Sequence, residues 1–248
     1  MTDAPKVSKR DPTNPSFIRH QGWLPYNVNR PPIIIVGCGA IGSHAAMLFA
    51  QLGFENFILF DGDVVESLNL ANQRYVRDSV GLLKTDALEE ELKRFSTCIQ
   101  VEKRGLFTAE TEIPSGFVVC GVDSFSARRL VLDRCVELEA AFCFTDFRLG
   151  FNFGRAYVVD MAHPLASDLI AEYKETIGND ADVTELPCTQ KICPAPVQGL
   201  VAAGVQATVE TIRYNEGGRN DADFAFPFFI MFDWSYGNIN FRTFCKKV

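Results

Sequence analysis

The chain has no Cys-x-x-Cys pair anywhere in its 248 residues. A four-thiolate zinc site therefore has no framework, and no structural zinc is expected. Histidine is scarce, at 3 residues, and none lies near a strand end where it would suit hydride chemistry. No apolar run approaches the roughly 20 residues of a membrane span. The opening stretch MTDAPKVSKRDPTNPSF lacks the apolar core of a secretory signal, so a cytoplasmic protein is the default expectation. Excess positive charge is also missing. The formal net charge of −7 argues against a general binder of nucleic acid or membrane. Cysteine itself is present, at 8 residues, but Cys38, Cys120, Cys135 and Cys143 sit in apolar runs and read as small core residues of a reducing compartment. No internal repeat is visible.

What the chain has is apolar content of 47% over a length that supports one large α/β domain with a substantial core. Its organising stretch is IIIVGCGAIGSHAAMLFAQLGFENFILFDGDVVESLNLANQ, beginning at Ile33. Ile33, Ile34, Ile35 and Val36 read as a buried strand. Gly37, Gly39 and Gly42 follow in G-x-G-x-x-G spacing. In that pattern Gly37 makes the tight turn, Gly39 lets a phosphate approach the backbone, and Gly42 lets the next helix lie close on the strand. A helix is predicted over 43–51, with Gly53 as its left-handed cap. A second strand over 57–60 ends in Asp61, placed to accept hydrogen bonds from ribose hydroxyls. The helix N-terminus offers unpaired N–H groups to the phosphates.

Before this core, residues 1–16 are polar and read as a mobile arm. The segment FIRHQGWLPYNVNRPP mixes apolar anchors with Arg19 and His20 and is expected to dock; residues 17–248 form a single domain. After Asp61 comes a polar loop, then a helix over 84–95 with Ala87, Leu88 and Leu92 inward. A short strand over 99–101, a buried strand over 117–121, a helix over 126–141 with Leu130 and Leu138 inward, and an apolar strand over 141–146 complete an alternating series. That series predicts a Rossmann-like, doubly wound, mostly parallel sheet. Residues 151–160 have strand composition with Gly154 as a bend. The next stretch reads as a long crossing loop with a partial helix. A mostly apolar helix follows over 199–214, and then an aromatic-rich pair of antiparallel strands split near Tyr236 and Gly237.

The residues past the second strand separate this chain from an ordinary dehydrogenase. Asp61, Asp63, Val65, Asn69, Leu70 and Gln73 in DGDVVESLNLANQ, then VGLLK ending at Lys84, then VVCGVDSFSARR with Asp123 and Arg128, resemble the ThiF/MoeB family of ubiquitin-activating-like adenylyltransferases. The likeness covers residues from about Arg19 to Thr211. It implies ATP on the glycine loop, attack by a carboxylate on the α-phosphorus, and an acyl adenylate with pyrophosphate released. It places Gly37, Gly39 and Gly42 on the phosphates and Asp61 on the ribose. It puts Asn69, Asn72, Gln73 and Lys84 around the nucleotide, with Asp123 on magnesium. Displacement at phosphorus needs positioning and charge neutralisation more than a protein nucleophile, so the set is chemically apt.

Some positions carry two readings. Asp123 is a metal ligand or a helix N-terminal acid. Arg128 reads as a structural pairing residue, and His44 as packed or partly exposed. Asp146 and Arg148 line a channel for the incoming carboxyl group or form a local ion pair. The resemblance implies a homodimer in which Arg19 reaches the partner's site; otherwise Arg19 is a surface residue. Cys188 keeps the family's spacing to Pro196 and Gly199 and carries the acyl group or is dispensable, with Cys193 five residues away. Asn72 stands where the family has arginine; either Arg74 or Arg77 compensates from nearby, or adenylation is weakened or altered. The implied partner is a small ubiquitin-like or sulfur-carrier protein. A tRNA-linked or peptide carboxylate is the alternative substrate. A nucleotide-binding relative without activity and a NAD-dependent oxidoreductase are the alternative functions; the last leaves Asn69, Lys84 and Asp123 without roles.

Overall fold

The structure, a computed structural model, describes residues 23–24, 29–150, 153–182, 194–216, 227–233 and 238–243. The N-terminal arm, Arg19, Cys188 and Cys193 lie outside the described residues.

Among the described residues, a sheet of 8 strands runs in the order β3-β2-β1-β4-β5-β6-β7-β8. Strands β1 (Ile33–Val36), β2 (Asn56–Phe60), β3 (Gln100–Arg104), β4 (Gly116–Cys120) and β5 (Ala141–Leu149) pair in parallel. Strands β6 (Phe153–Asp160), β7 (Pro227–Asp233) and β8 (Asn238–Thr243) extend the sheet antiparallel. The expected doubly wound sheet with C-terminal antiparallel strands is the one observed.

The reason the β1 run has no polar residue is visible in its packing. Ile33 and Ile35 enter one core, against α1 (Ala40–Gln51), α2 (Lys84–Phe95) and α5 (Pro194–Asn215). Ile34 and Val36 enter the other, against α3 (Phe125–Glu137) and α4 (Ala166–Glu175). Side chains alternate across a strand, so a strand covered on both faces must be apolar throughout. Cys38, Cys120, Cys135 and Cys143 are all buried free thiols, as expected, and burial pushes the Cys135 thiol up to about 12.

Several boundaries differ from the sequence reading. Helix α1 begins at Ala40, so Gly42 lies inside it. Helix α3 ends at Glu137, and Glu139 turns the chain at φ 48° into β5. Its buried face is Val131, Leu132 and Cys135, with Leu138 packed at its margin. Gly154 is not a bend: it stays in register opposite Leu149 in β6. A Cβ there would come within 2.7 Å of Leu200 Cδ2 on α5, so this glycine serves helix–sheet contact.

The neighbours of β1 fix where a ligand can sit. From β1 the chain proceeds to β2 on one side, then returns to place β4 on the other. Doubly wound sheets form a crevice at such a switch point, beyond the carboxyl ends of the strands. Here those ends carry Gly37, Asp61 and Gly121.

Candidate functional site

The glycine loop is built by steric necessity. Gly37 has φ +90°, and a Cβ on it would lie 2.9 Å from Gly121 O. It therefore needs glycine both for its conformation and for the approach of β4's end. Gly37 N–H donates to Phe60 O at 2.8 Å, which pulls the loop onto β2. Gly39 differs: the nearest atom to a Cβ there is Gln73 Nε2 at 4.0 Å, so its exposed side opens into the crevice.

Asp61 holds the loop rather than standing free of it. Its Oδ2 accepts from Cys38 N–H at 2.7 Å and its Oδ1 from Asp63 N–H at 2.8 Å. Each carboxylate oxygen retains a further lone pair, so ribose hydroxyls remain possible donors. Asp63 in turn meets Lys84. The Lys84 ammonium donates to Asp63 Oδ2 at 2.6 Å, and Lys84 N–H donates to Asp63 O at 2.9 Å. Lys84 is buried while Asp63 is exposed. The ammonium uses one of its three donors on Asp63.

The stretch 72–75 lies along the first turn of α1. Gln73 faces Gly39, as above. Arg74 N–H donates to the buried Ser43 Oγ at 3.0 Å. The Tyr75 hydroxyl donates to Cys38 O at 2.6 Å, with Lys84 O at 3.2 Å as a second acceptor. His44 is half-buried; burial lowers its pKa, a hydrogen bond with the Asn72 backbone opposes this, and the Arg74 charge adds to the lowering. Asn69 Oδ1 accepts from Glu66 N–H at 2.8 Å and so shapes the 3₁₀ turn that carries it. The buried oxygens Asn72 Oδ1 and Gln73 Oε1 have no partner among the described residues.

Across the crevice, Val122 N would lie 3.2 Å from a Cβ on Gly37, which sets Asp123 beside the glycine loop. Asp123 is exposed and has no hydrogen bond or ion pair among the described residues. It directly precedes Ser124, the N-cap of α3, and so stands as a helix N-terminal acid, while the capping hydrogen bonds come from other residues. Asp180 accepts from the N–H groups of Phe125 and Ser126, and Ser124 Oγ accepts from Ala127 N–H at 3.2 Å. The bonds from Ser126 and Phe125 hold the Asp180 carboxyl below the usual range. No group of three or more metal-ligating side chains occurs among the described residues. That donor set still fits magnesium on a nucleotide, which takes one or two carboxylates and completes its shell with phosphates and water.

The pair Asp146 and Arg148 resolves toward the ion-pair reading. Asp146, fully buried, accepts from Arg128 and, at 2.8 Å, from Arg148 Nε. Arg128 also donates to Phe147 O at 2.9 Å. Arg148 donates to Thr176 O at 2.7 Å and Thr176 Oγ1 at 3.0 Å, and lies 4.4 Å from the Tyr157 ring centre. Burial works against the Arg148 charge, but Asp146 and Tyr173 together outweigh it and hold the pKa above the ordinary value. Asp146→Ala would leave the buried Arg128 and the partly buried Arg148 without their counter-charge. Urea denaturation should show a loss of about 3–5 kcal/mol; a loss under about 1 kcal/mol would mean that the triad is not structural.

Sequence reasoning missed Tyr75, Ser43 and Asp180. Tyr75 and Ser43 carried a signal in their proximity to the glycine and NLANQ blocks; Asp180, far along the chain, carried none.

A parallel-centred sheet, a glycine turn at its switch point and an acid closing that turn define a Rossmann-like domain. A ThiF family model matches residues 26–220, and the chain belongs to the ThiF family. It is 31% identical over 132 residues to ubiquitin-like modifier-activating enzyme 5 of Dictyostelium discoideum, covering 45% of this chain and 34% of that protein. It is 30% identical over 130 residues to adenylyltransferase and sulfurtransferase MOCS3 of Anopheles gambiae, covering 50% of this chain and 29% of that protein. The chain thus spans about a third of the length of these relatives. In fold it is similar to E. coli MccB with ATP, at TM-score 0.61 and 17% identity, over 86% of this chain and 63% of that one. It is likewise similar to E. coli tRNA N6-threonylcarbamoyladenosine dehydratase, TcdA, at TM-score 0.63 and 17% identity, over 83% and 97%. No helix among the described residues is long and apolar enough to cross a membrane.

Proposed function

We propose that this chain is an ATP-dependent adenylyltransferase that activates the carboxyl terminus of a small ubiquitin-like or sulfur-carrier protein. The observation that carries the reading is that Gly39, Asp61 and Asp123 follow the carboxyl ends of β1, β2 and β4, with Lys84 bonded to Asp63 beside Asp61, and each has an unspent capacity. Gly39 is open, Asp61 keeps lone pairs, Lys84 keeps donors and Asp123 keeps its whole carboxylate.

In this reading the triphosphate lies over Gly37 to Gly42 and the ribose meets Asp61. A carboxylate oxygen of the acceptor attacks the α-phosphorus. The new P–O bond forms as the bond to the bridging oxygen breaks, and pyrophosphate leaves with the electron pair. The protein donates no nucleophile in this step; it aligns the two anions and offsets their charge. Lys84 turns its free donors to the phosphates while Asp63 keeps its stem in place. Magnesium, held by Asp123, would supply charge neutralisation on the phosphates. Asn69 and Gln73 would add amide contacts.

A homodimer with Arg19 supplied from the partner, and Cys188 as an acyl acceptor, remain parts of this proposal that rest on the family resemblance. One surface feature supports a protein partner beside the site. Val64, Leu68, Val76, Val80, Leu82 and Leu83 are all exposed apolar residues within the loops that lead from Asp61 to Lys84. The net charge of −7 disfavours a tRNA-linked substrate.

Calorimetric titration separates this reading from the oxidoreductase. ATP with magnesium is expected to bind, NAD to bind weakly or undetectably, and Asp123→Ala to lose the magnesium dependence of ATP binding. Tight NAD binding without ATP binding would end the adenylation reading.

A further inference from the structure

The backbone donors at the start of α3 are all spent, and none of them on Asp123. N–H groups in the first turn of a helix have no intrahelical partner. In α3 those of Phe125 and Ser126 go to the two carboxylate oxygens of Asp180, and that of Ala127 goes to Ser124 Oγ. The loop before the helix is tied down as well. Gly121 N–H donates to Val36 O at 2.9 Å, and the Arg128 guanidinium donates to Val122 O. The Asp123 side chain is the exception. It is exposed and has no hydrogen bond or ion pair among the described residues.

Asp180 comes from far along the chain and is held where it stands. Just before it, Thr176 accepts from Arg148 through both its carbonyl and its hydroxyl oxygen. Ile177 is buried. Gly178 lies against the Phe125 ring, where a Cβ would come within 3.1 Å of Cε2. Asp180 itself opens a short 3₁₀ turn. Packing and hydrogen bonds thus fit the segment 176–180 to the N-terminus of α3 and bring its carboxylate to the two donors.

What this cap prevents follows from electrostatics. A helix N-terminus carries a partial positive charge. A bond from a backbone N–H to a carboxylate is charge-assisted and strong. Left open, the Phe125 and Ser126 N–H groups would draw the nearest carboxylate in the chain. That carboxylate is Asp123, separated from Phe125 by Ser124 alone. Turned onto the helix end, it would be withdrawn from a metal, and magnesium on a nucleotide takes only one or two protein carboxylates.

We infer that Asp180 is a positioning residue of this site: by occupying the N–H groups of Phe125 and Ser126 it keeps the Asp123 carboxylate free for magnesium on the nucleotide. The inference rests on the ATP reading above, in which Asp123 is the metal ligand. Asp180 acts through Asp123, with both of its own oxygens committed to α3.

The test is calorimetric titration with ATP, with and without magnesium, of the wild-type chain, Asp180→Ala, Asp180→Asn, Asp123→Ala and the double variant Asp180→Ala/Asp123→Ala. Asp180→Ala is expected to weaken magnesium–ATP binding about 5- to 10-fold and to change metal-free ATP binding less than about 2-fold. Loss of the cap should lower the melting temperature by only about 2–4 °C, so the variant stays folded in the assay. Asparagine keeps an oxygen that accepts from one N–H, so Asp180→Asn should lose less than alanine. In the Asp123→Ala background, Asp180→Ala should have less than about 2-fold further effect, because the residue it protects is gone. A role confined to folding would weaken ATP binding with and without magnesium, and in both backgrounds. That pattern overturns this inference alone, as do an unchanged magnesium–ATP affinity in Asp180→Ala and an asparagine variant as weak as alanine. Absence of ATP binding by the wild-type chain, or binding indifferent to magnesium, overturns the reading on which the inference rests, and the inference with it.

Discussion

Replacing Lys84 with alanine is expected to abolish adenylation while leaving the domain folded. The effect should be about 10²–10³ in the rate of pyrophosphate–ATP exchange, the scale for removing one preorganised charge-stabilising donor. The structure explains why the loss should be catalytic. Lys84 is nearly buried, but its ammonium meets Asp63, whose side chain is 69% exposed. Once the lysine is gone, water satisfies Asp63, and an ion pair open to water on its Asp63 side contributes little to stability. The backbone contacts, Lys84 N–H to Asp63 O and the Tyr75 hydroxyl to Lys84 O, survive the substitution. Lys84→Arg should retain only part of the activity, because a planar guanidinium cannot occupy the compact ammonium's place. Exchange assays paired with thermal melts check both halves. Full exchange by Lys84→Ala would remove this residue from the mechanism.

The second large effect separates two glycines of one motif. Gly42→Ala should destabilise the fold by roughly 3 kcal/mol or more. Its Cβ would lie 2.0 Å from Gly37 O and 2.7 Å from Ile35 Cγ2. The first of these is backbone, so helix α1 must move off β1, and the core between them opens. Gly39→Ala should behave in the opposite way. Its φ is −75°, and a Cβ there has nothing closer than 4.0 Å. The fold should keep its urea midpoint while ATP binding weakens, because the methyl group occupies the face that a phosphate approaches. A Gly42→Ala variant with wild-type stability would contradict the close packing. A Gly39→Ala variant with unchanged ATP affinity would show that the phosphates lie elsewhere.

Much of this was legible because the relevant residues have narrow physical options. A run such as IIIV is stable only with both faces covered. Gly37, Gly42 and Asp61 are constrained by backbone geometry, and constraint of that kind leaves a spacing in the sequence. Helix α2 was also read at its observed bounds, Lys84–Phe95, since its charged and apolar residues alternate at helical period. The misreadings fall where local signals are ambiguous. The run AAFCF suits a buried strand as well as a helix end, and the turn that separates them uses Glu139, a residue with no preference for positive φ. Helix α5 begins at Pro194, earlier than its apolar periodicity suggests, because prolines fit a first turn whose N–H groups need no helical partner. At the site, individual residue types were readable and their pairings were not. Asp180 capping α3, and Arg148 committed to Thr176, join segments far apart in the chain. Only the fold brings them together.

The most direct test of the central claim is pyrophosphate–ATP exchange with a panel of small ubiquitin-like and sulfur-carrier proteins, each assayed as the free C-terminal carboxylate and as its amide. Adenylation predicts label entering ATP with a carboxylate form, none with the matching amide, and loss of the signal in Lys84→Ala and Asp123→Ala. ATP turnover to ADP and phosphate, or tight NAD binding by a chain that does not bind ATP, would contradict it.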